Sequence, residues 1–311
     1  MISSDLLPDS AAFFRRFDLP DDFPTPARPG TIRPVREFSS QVYNQFYRFQ
    51  EAPFNITPDP RFLFFSERHR EAFNHILFGI KERKGFIQIT GEVGAGKTTV
   101  CRAILQELGP TYRTALILNP CMTSTQLLRT VLSEFGLKPR RADRASSLEM
   151  LNEFLLQEAI IGNDVVLFID EAQDLDWDLL EQVRLLSNLE TDQSKLLQIV
   201  LLGQPELREK LEQSNLRQLR QRITVRYHLS PLSREETEAY IAHRLRVAGA
   251  DSRPVFTPWA VRRIYGYSRG VPRLINAICD KTLLCGFVTG ADRLTAGHVR
   301  RAVRELEGKF S

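Results

Sequence analysis

Gly91 to Thr98 reads GEVGAGKT, which fits G-x-x-x-x-G-K-[ST] over its full length, and no other stretch restricts the possible fold as strongly. Phe86 to Thr90 (FIQIT) is a short apolar, partly β-branched run, and a helical segment follows the motif as far as Leu108. The order strand, glycine loop, helix is the context that a phosphate-cradling loop requires. Gly91, Gly94 and Gly96 let the backbone turn tightly and aim its N–H groups at oxyanions, with the dipole of the next helix adding positive potential. Glu92, Val93, Ala95 and Thr99 complete the candidate phosphate-lining set. Lys97 is the candidate for the β- and γ-phosphates. Thr98 is the candidate for a hydroxyl contact to Mg²⁺, which keeps most of its water and takes few protein ligands.

At 311 residues, 42% hydrophobic and 26% charged, the chain has room for two domains, or for one domain with an appendage. No apolar run approaches the ~20 residues that span a bilayer. MISSDLLPDS lacks the basic-then-apolar pattern of a secretory signal. Cys101, Cys121, Cys279 and Cys285 have no metal-ligand spacing and read as reduced thiols of a cytosolic protein. The overall charge of +4 is unevenly spread. From Arg217 onward 18 Lys and Arg stand against 8 Asp and Glu, an excess of +10 that leaves −6 for the residues before it. Such asymmetry fits a nucleic-acid surface, and equally arginines that serve nucleotide binding, subunit contacts and solvated helix faces.

Pro20, Pro24, Pro26, Pro29 and Pro34 make the first part an extended linker, flanked by the aromatic segments SAAFFRRF and EFSSQVYNQFYRFQ. These segments dock on a partner or pack on the protein's own body, and the second is favoured because exposed aromatics need cover. Ser66 is a candidate N-cap for a helix carrying Ala72, Phe73, Ile76, Leu77 and Ile80 at helical spacing. Arg68 or Arg70 could border a base there. Thr114–Asn119 reads as a second buried strand and 123–135 as a helix. Ser146 to Glu149 supplies a capping box for a helix ending near Ile161.

Val165 to Gln173, VVLFIDEAQ, is an almost wholly apolar strand ending in two carboxylates. A strand buried on both faces suits the centre of a parallel sheet, and ligands bind at the carboxyl ends of such strands. Asp170 is then placed for the metal shell and Glu171 to orient and deprotonate a water. A further strand, LLQIVLLG, ends at Gln204, which could contact the γ-phosphate or the water and reads equally as a turn residue before Pro205. Arg217, Arg220, Arg222 and Arg226 cluster before and within a fifth strand. Arg220 or Arg222 is the candidate for an arginine supplied to a neighbouring subunit's γ-phosphate, and the sequence does not choose between them. After Pro231 the strand pattern stops and four helices follow, capped at Ser233, Thr257 and Thr295 and, for the third, opening with GVPR. Arg273 in that motif is the candidate to reach the phosphates from a helical lid.

Together these motifs resemble the AAA+ ATPases: GEVGAGKT as Walker A, VVLFIDEAQ as Walker B, Gln204 as sensor 1, Arg220 or Arg222 as finger, GVPR as sensor 2. Asn119 stands where many AAA+ proteins hold a polar residue that restrains the glutamate. The wording PFNITPDPRFLFFSERHREAF, LLGQPELREKL and QRITVRYHLSPL is most similar to the general secretion pathway protein A, or ExeA-like, ATPases, over about 53–307 and limited to their motor part. The resemblance implies an α/β P-loop fold with a five-stranded parallel sheet and a C-terminal helical lid. It divides the chain into an arm (1–52), a nucleotide-binding domain (53–230) and a lid (231–311). It implies ATP and Mg²⁺ as cofactors, hydrolysis at sites between subunits of a ring or filament, and a cytoplasmic location with peripheral attachment at the inner membrane. Two function classes follow. One is an ATPase driving assembly or remodelling of a partner complex at the envelope. The other resembles transposition regulators of the TnsC/TniB kind, which assemble on duplex DNA. The sequence has neither the N-K-x-D of a guanine site nor an LSGGQ-like signature.

Overall fold

The sheet is organised by its two buried central strands. The computed structural model describes residues 43–55, 60–138, 143–190, 195–251 and 253–308. The segment SAAFFRRF and the proline-rich linker lie outside them. Five parallel strands, β1 (Phe86–Gly91), β2 (Tyr112–Ile117), β3 (Asp164–Ile169), β4 (Leu197–Gly203) and β5 (Ile223–Leu229), lie in the order β2-β3-β4-β1-β5. Every residue of β1 and β4 is buried, as expected where helices cover both faces of a parallel sheet. Because β4 lies between β1 and β3, the chain switches direction beside β1. The loops after β1, β3 and β4 therefore open into one crevice.

Helices cover the sheet on both sides. On one face α1 (Glu67–Lys81) and α2 (Lys97–Glu107) bury Ile76, Ile80, Val100 and Ile104 against Ile87, Ile89, Phe168 and Val200. On the other, α3 (Ser124–Glu134), α4 (Arg144–Ile161), α5 (Trp177–Leu186), α6 (Pro205–Glu212) and α7 (Arg217–Arg222) pack on Leu167, Ile169, Leu197 and Ile199. Most caps follow the sequence. Ser66 accepts from the His69 amide, and Thr123 and Ser233 form capping boxes with Gln126 and Glu236. The Ser146 expectation is corrected: α4 starts at Arg144, and Asp143 is the cap, accepting from the Ser146 amide. A carboxylate at this position both satisfies an orphan donor and complements the helix dipole.

After β5 come α8 (Arg234–Val247), α9 (Pro258–Ser268), α10 (Pro272–Val288) and α11 (Ala296–Leu306), as expected. They are joined by an addition that two-residue segments could not signal by alternation, a parallel pair β6 (Val255–Phe256) and β7 (Arg293–Leu294). The helical layer has its own core, built on Ile241, Ile264, Ile275, Cys279, Leu283 and Val299. Tyr43, Tyr47, Phe49 and Phe54 are part of that core, so the described part of the aromatic segment before residue 52 packs on the protein's own body. The Tyr47 hydroxyl donates to the Ala291 carbonyl at 3.0 Å, and the Tyr43 hydroxyl donates to Asp280. Arg244 fastens the next stretch, donating to the carbonyls of Pro53 at 2.5 Å and Asn55 at 3.1 Å with its guanidinium over the Phe62 ring. Cys101, Cys279 and Cys285 are buried thiols and Cys121 is exposed.

Candidate active site

The glycine loop turns through two residues with positive φ, Gly94 at 76° and Gly96 at 103°. A side chain at either would be strained and blocked: a Cβ on Gly94 would lie 2.5 Å from the Arg273 Cβ, and one on Gly96 2.6 Å from His69 Nε2. Both neighbours line the crevice. His69 is buried, receives a hydrogen bond between Ser66 Oγ and its Nδ1 at 2.7 Å, and reaches the Ala95 carbonyl through Nε2 at 3.0 Å. Burial lowers its pKa, so the ring is held neutral, with Nε2–H donating to the loop. The residue that braces the loop is thus His69, between the two base-pocket candidates. Arg68 instead donates to the Pro231 carbonyl at 2.9 Å, and Arg70 is exposed.

Lys97 is 6% exposed and donates to the carbonyls of Gly91 at 2.7 Å and Glu92 at 3.1 Å. Burial depresses its pKa, opposed by the charges of Glu171, Asp170 and Glu92. Thr98 Oγ1 donates to Asp170 Oδ2 at 2.5 Å, joining the start of α2 to the end of β3. Asp170 is 3% exposed; burial raises its pKa, while the bonds from Thr98 and from the Glu171 amide at 2.9 Å lower it. Glu171 has left-handed backbone, φ 52°, which turns its carboxylate out of the strand line. Gln173 Nε2 donates to Glu171 Oε2 at 2.9 Å and Gln204 Nε2 to the same oxygen at 3.3 Å. Gln173 Oε1 closes the triangle by accepting from the Gln204 amide at 3.0 Å. A cavity of about 350 Å³ joins Lys97, Thr98 and Glu171 to Phe62 and to Tyr240 and Asn276 of the helical layer.

A family model for the AAA domain matches residues 80–211. General secretion pathway protein A of Aeromonas hydrophila is 46% identical over 269 residues, covering 86% of this chain and 49% of the relative, so the chain spans about half of that relative's length. Residues 80–211 carry an AAA domain, and the chain resembles general secretion pathway protein A. Two solved structures share the AAA+ fold. Aeropyrum pernix ORC2, in ADPNP-ADP complexes, superposes with a TM-score of 0.60 at 16% identity, covering 83% of this chain and 72% of that one. Drosophila ORC bound to DNA gives 0.63 at 17%, covering 91% and 70%.

The remaining AAA+ candidates fall unevenly around the crevice. Arg273 lines it at the start of α10, its amide 3.4 Å from the Gly94 carbonyl. Arg220 and Arg222 lie on the short helix α7, not in loop or strand, and point to different places. Arg222 donates to Ser187 Oγ at 2.6 Å, whereas Arg220 donates to the Glu212 carbonyl at 3.4 Å. Neither is among the residues lining the cavity. Asn119 accepts from the Cys121 amide at 3.2 Å and is exposed, whereas the Glu171 carboxylate takes hydrogen bonds from Gln173 and Gln204. Gln173 joins the site without belonging to any of the recognised motif positions. Its signal lies in the last letter of DEAQ, which a tight 3₁₀ turn (Ala172–Asp174) folds back over Glu171.

Proposed function

We propose that this chain binds Mg-ATP between sheet and lid and hydrolyses it, at sites completed by a neighbouring subunit. The observation that carries the reading is the convergence on one crevice of the Thr98–Asp170 pair, the glycine cradle of Lys97, and a glutamate aimed by two glutamines. The donor set fits the metal: one hydroxyl and one buried carboxylate suit an ion that keeps several waters and takes its other ligands from phosphates. When bound, magnesium neutralises charge on the β- and γ-oxygens. Thr98 would hold it directly and Asp170 through water. Lys97 supplies positive charge to the phosphates, and Glu171 accepts the proton of the attacking water, with Gln173 and Gln204 fixing its direction. Arg273 reads the phosphates from the lid, and Arg220 or Arg222 acts across the subunit boundary.

The output of hydrolysis is assembly or remodelling of a partner complex at the cytoplasmic face of the envelope, by homo-oligomers in a ring or filament. The likeness to general secretion pathway protein A supports this reading. No helix among the described residues is long and apolar enough to cross a membrane. The +10 excess after Arg217 favours a second reading, an ATP-dependent regulator that assembles on duplex DNA.

Turnover, nucleotide affinity and electron micrographs of the parent and four variants test the proposal. Lys97→Ala should lose nucleotide binding. Glu171→Gln should bind ATP, fall at least a hundredfold in turnover and accumulate the assembled form. Parent-rate hydrolysis by Glu171→Gln would remove the assignment. Mixing Glu171→Gln with Arg220→Ala or Arg222→Ala shows which arginine acts between subunits. Micrographs with and without duplex DNA separate the two outputs.

A further inference from the structure

A second concavity, of about 650 Å³, opens on the opposite side of β1 from the Lys97 cradle, between β1, β5 and the helices α6 and α7. It is lined by Gln88 and Thr90 of β1, Arg226 and His228 of β5, and Arg208 and Arg220 of the helices. β5 is the edge of the sheet, and Thr224, Arg226 and His228, at alternate positions of one face, are all exposed. The neighbouring strand's polar residues beneath them, Gln88 at 5% and Thr90 at 3% exposure, are buried.

The charge on these walls is only partly compensated. Arg208 is paired with Glu212, which also lines the groove, at 3.3 Å. Arg226 instead donates to the Arg220 carbonyl at 2.7 Å, and Arg220 donates to the Glu212 carbonyl at 3.4 Å. Those carbonyl bonds hold two guanidinium groups in place and leave their positive charge free of any carboxylate partner among the described residues. At the floor, Thr90 Oγ1 and His228 Nδ1 share a hydrogen bond of 3.0 Å. Gln88, 5% exposed as a residue, lines the groove and makes no side-chain hydrogen bond among the described residues. Two guanidinium groups held on main-chain carbonyls beside an amide donor supply the positive charge and the N–H donors that a phosphate group takes.

We infer that this groove is an anion site for phosphate groups, distinct from the nucleotide crevice, with Arg226, Arg220 and Gln88 as its donors. The same chemistry is offered by a free phosphate compound and by a nucleic-acid backbone. The site lies one residue from the nucleotide loop: Thr90, paired with His228, precedes Gly91, whose carbonyl accepts from Lys97. The inference does not depend on hydrolysis.

The test uses the full chain saturated with Mg-ADP, so that the glycine loop is filled, titrated with inorganic pyrophosphate by calorimetry and with a labelled duplex oligonucleotide by anisotropy. The probes are read at 50 and 200 mM salt as order-of-magnitude low and physiological conditions. At least one probe should bind. Arg226→Ala, at an exposed position, should weaken it about tenfold, Arg226→Lys less, and Gln88→Leu severalfold, with Mg-ADP affinity within about twofold of the parent. Loss of both probes together identifies a backbone site, with a salt dependence shallower by about one ion in Arg226→Ala; loss of pyrophosphate alone identifies a small-molecule site. The inference is overturned if neither probe binds at low salt, if Arg226→Ala binds as the parent does, or if only a poly-glutamate peptide depends on Arg226, which would make the groove a protein-docking surface.

Discussion

Two amide nitrogens on one carboxylate oxygen is the smallest feature with a kinetic consequence. A glutamate that must take a proton from water gains from being aimed, and Gln173 does so from 2.9 Å. Gln173→Ala should lower kcat about tenfold and leave KM nearly unchanged, because Gln173 is absent from the residues lining the crevice. An unchanged kcat would assign the triangle to structure alone. His69 gives a pH signature. Its pKa in the folded protein lies below the ordinary 6.5, because burial disfavours the imidazolium. The unfolded chain then binds the proton more readily, so the contribution of His69 is complete above pH 6.5 and is lost as the pH falls below it. Melting temperature from about pH 7.5 to 5.5 should therefore fall more steeply in the parent than in His69→Asn. Equal slopes would contradict the neutral-ring assignment.

Within the elements, most choices are local and consistent, and one is not. Gln198 sits in β4, paired with Val166 of β3, 1% exposed, and neither its Nε2 nor its Oε1 has a hydrogen-bond partner. A buried amide without partners costs about 1–3 kcal/mol in desolvation, while an apolar residue of similar volume costs nothing of the kind. Gln198→Leu should raise stability by about 1 kcal/mol, visible as a higher urea midpoint at unchanged m-value. A lower midpoint would show that the amide is satisfied in solution. The strand helps to place Gln204 through its other end, so the same change should leave nucleotide affinity untouched.

At the scale of the whole molecule the nucleotide crevice is a seam between two cores, one built on the sheet and one within the helical layer. Arg244 and Tyr43 bind the residues preceding the sheet domain into the helical layer, so that layer is held by both ends of the described chain. Arg273 is where the helical layer meets the glycine loop. If it reads the phosphates, Arg273→Ala should weaken ATP about tenfold and ADP less than twofold, measured by competition with a fluorescent nucleotide. Equal losses for both would make it a packing residue at Gly94.

The sequence by itself determined the parts whose information is local. Gly94, Gly96 and Lys97 announce a phosphate cradle because only glycine tolerates that backbone, and the run before Asp170 announces a doubly covered strand because apolar side chains on both faces have no other use. Ser233, Thr257 and Thr295 cap their helices for equally local reasons. Tertiary structure alone decided which distant groups meet. That His69 braces the loop, that Gln204 reaches Glu171, and that Arg222 reaches Ser187 are all consequences of strand order and helix packing. Those contacts join residues up to about 35 positions apart, and no periodicity or cap records them. The strand order itself puts β4 between β1 and β3, and so decides that Gln204 stands beside the glutamate.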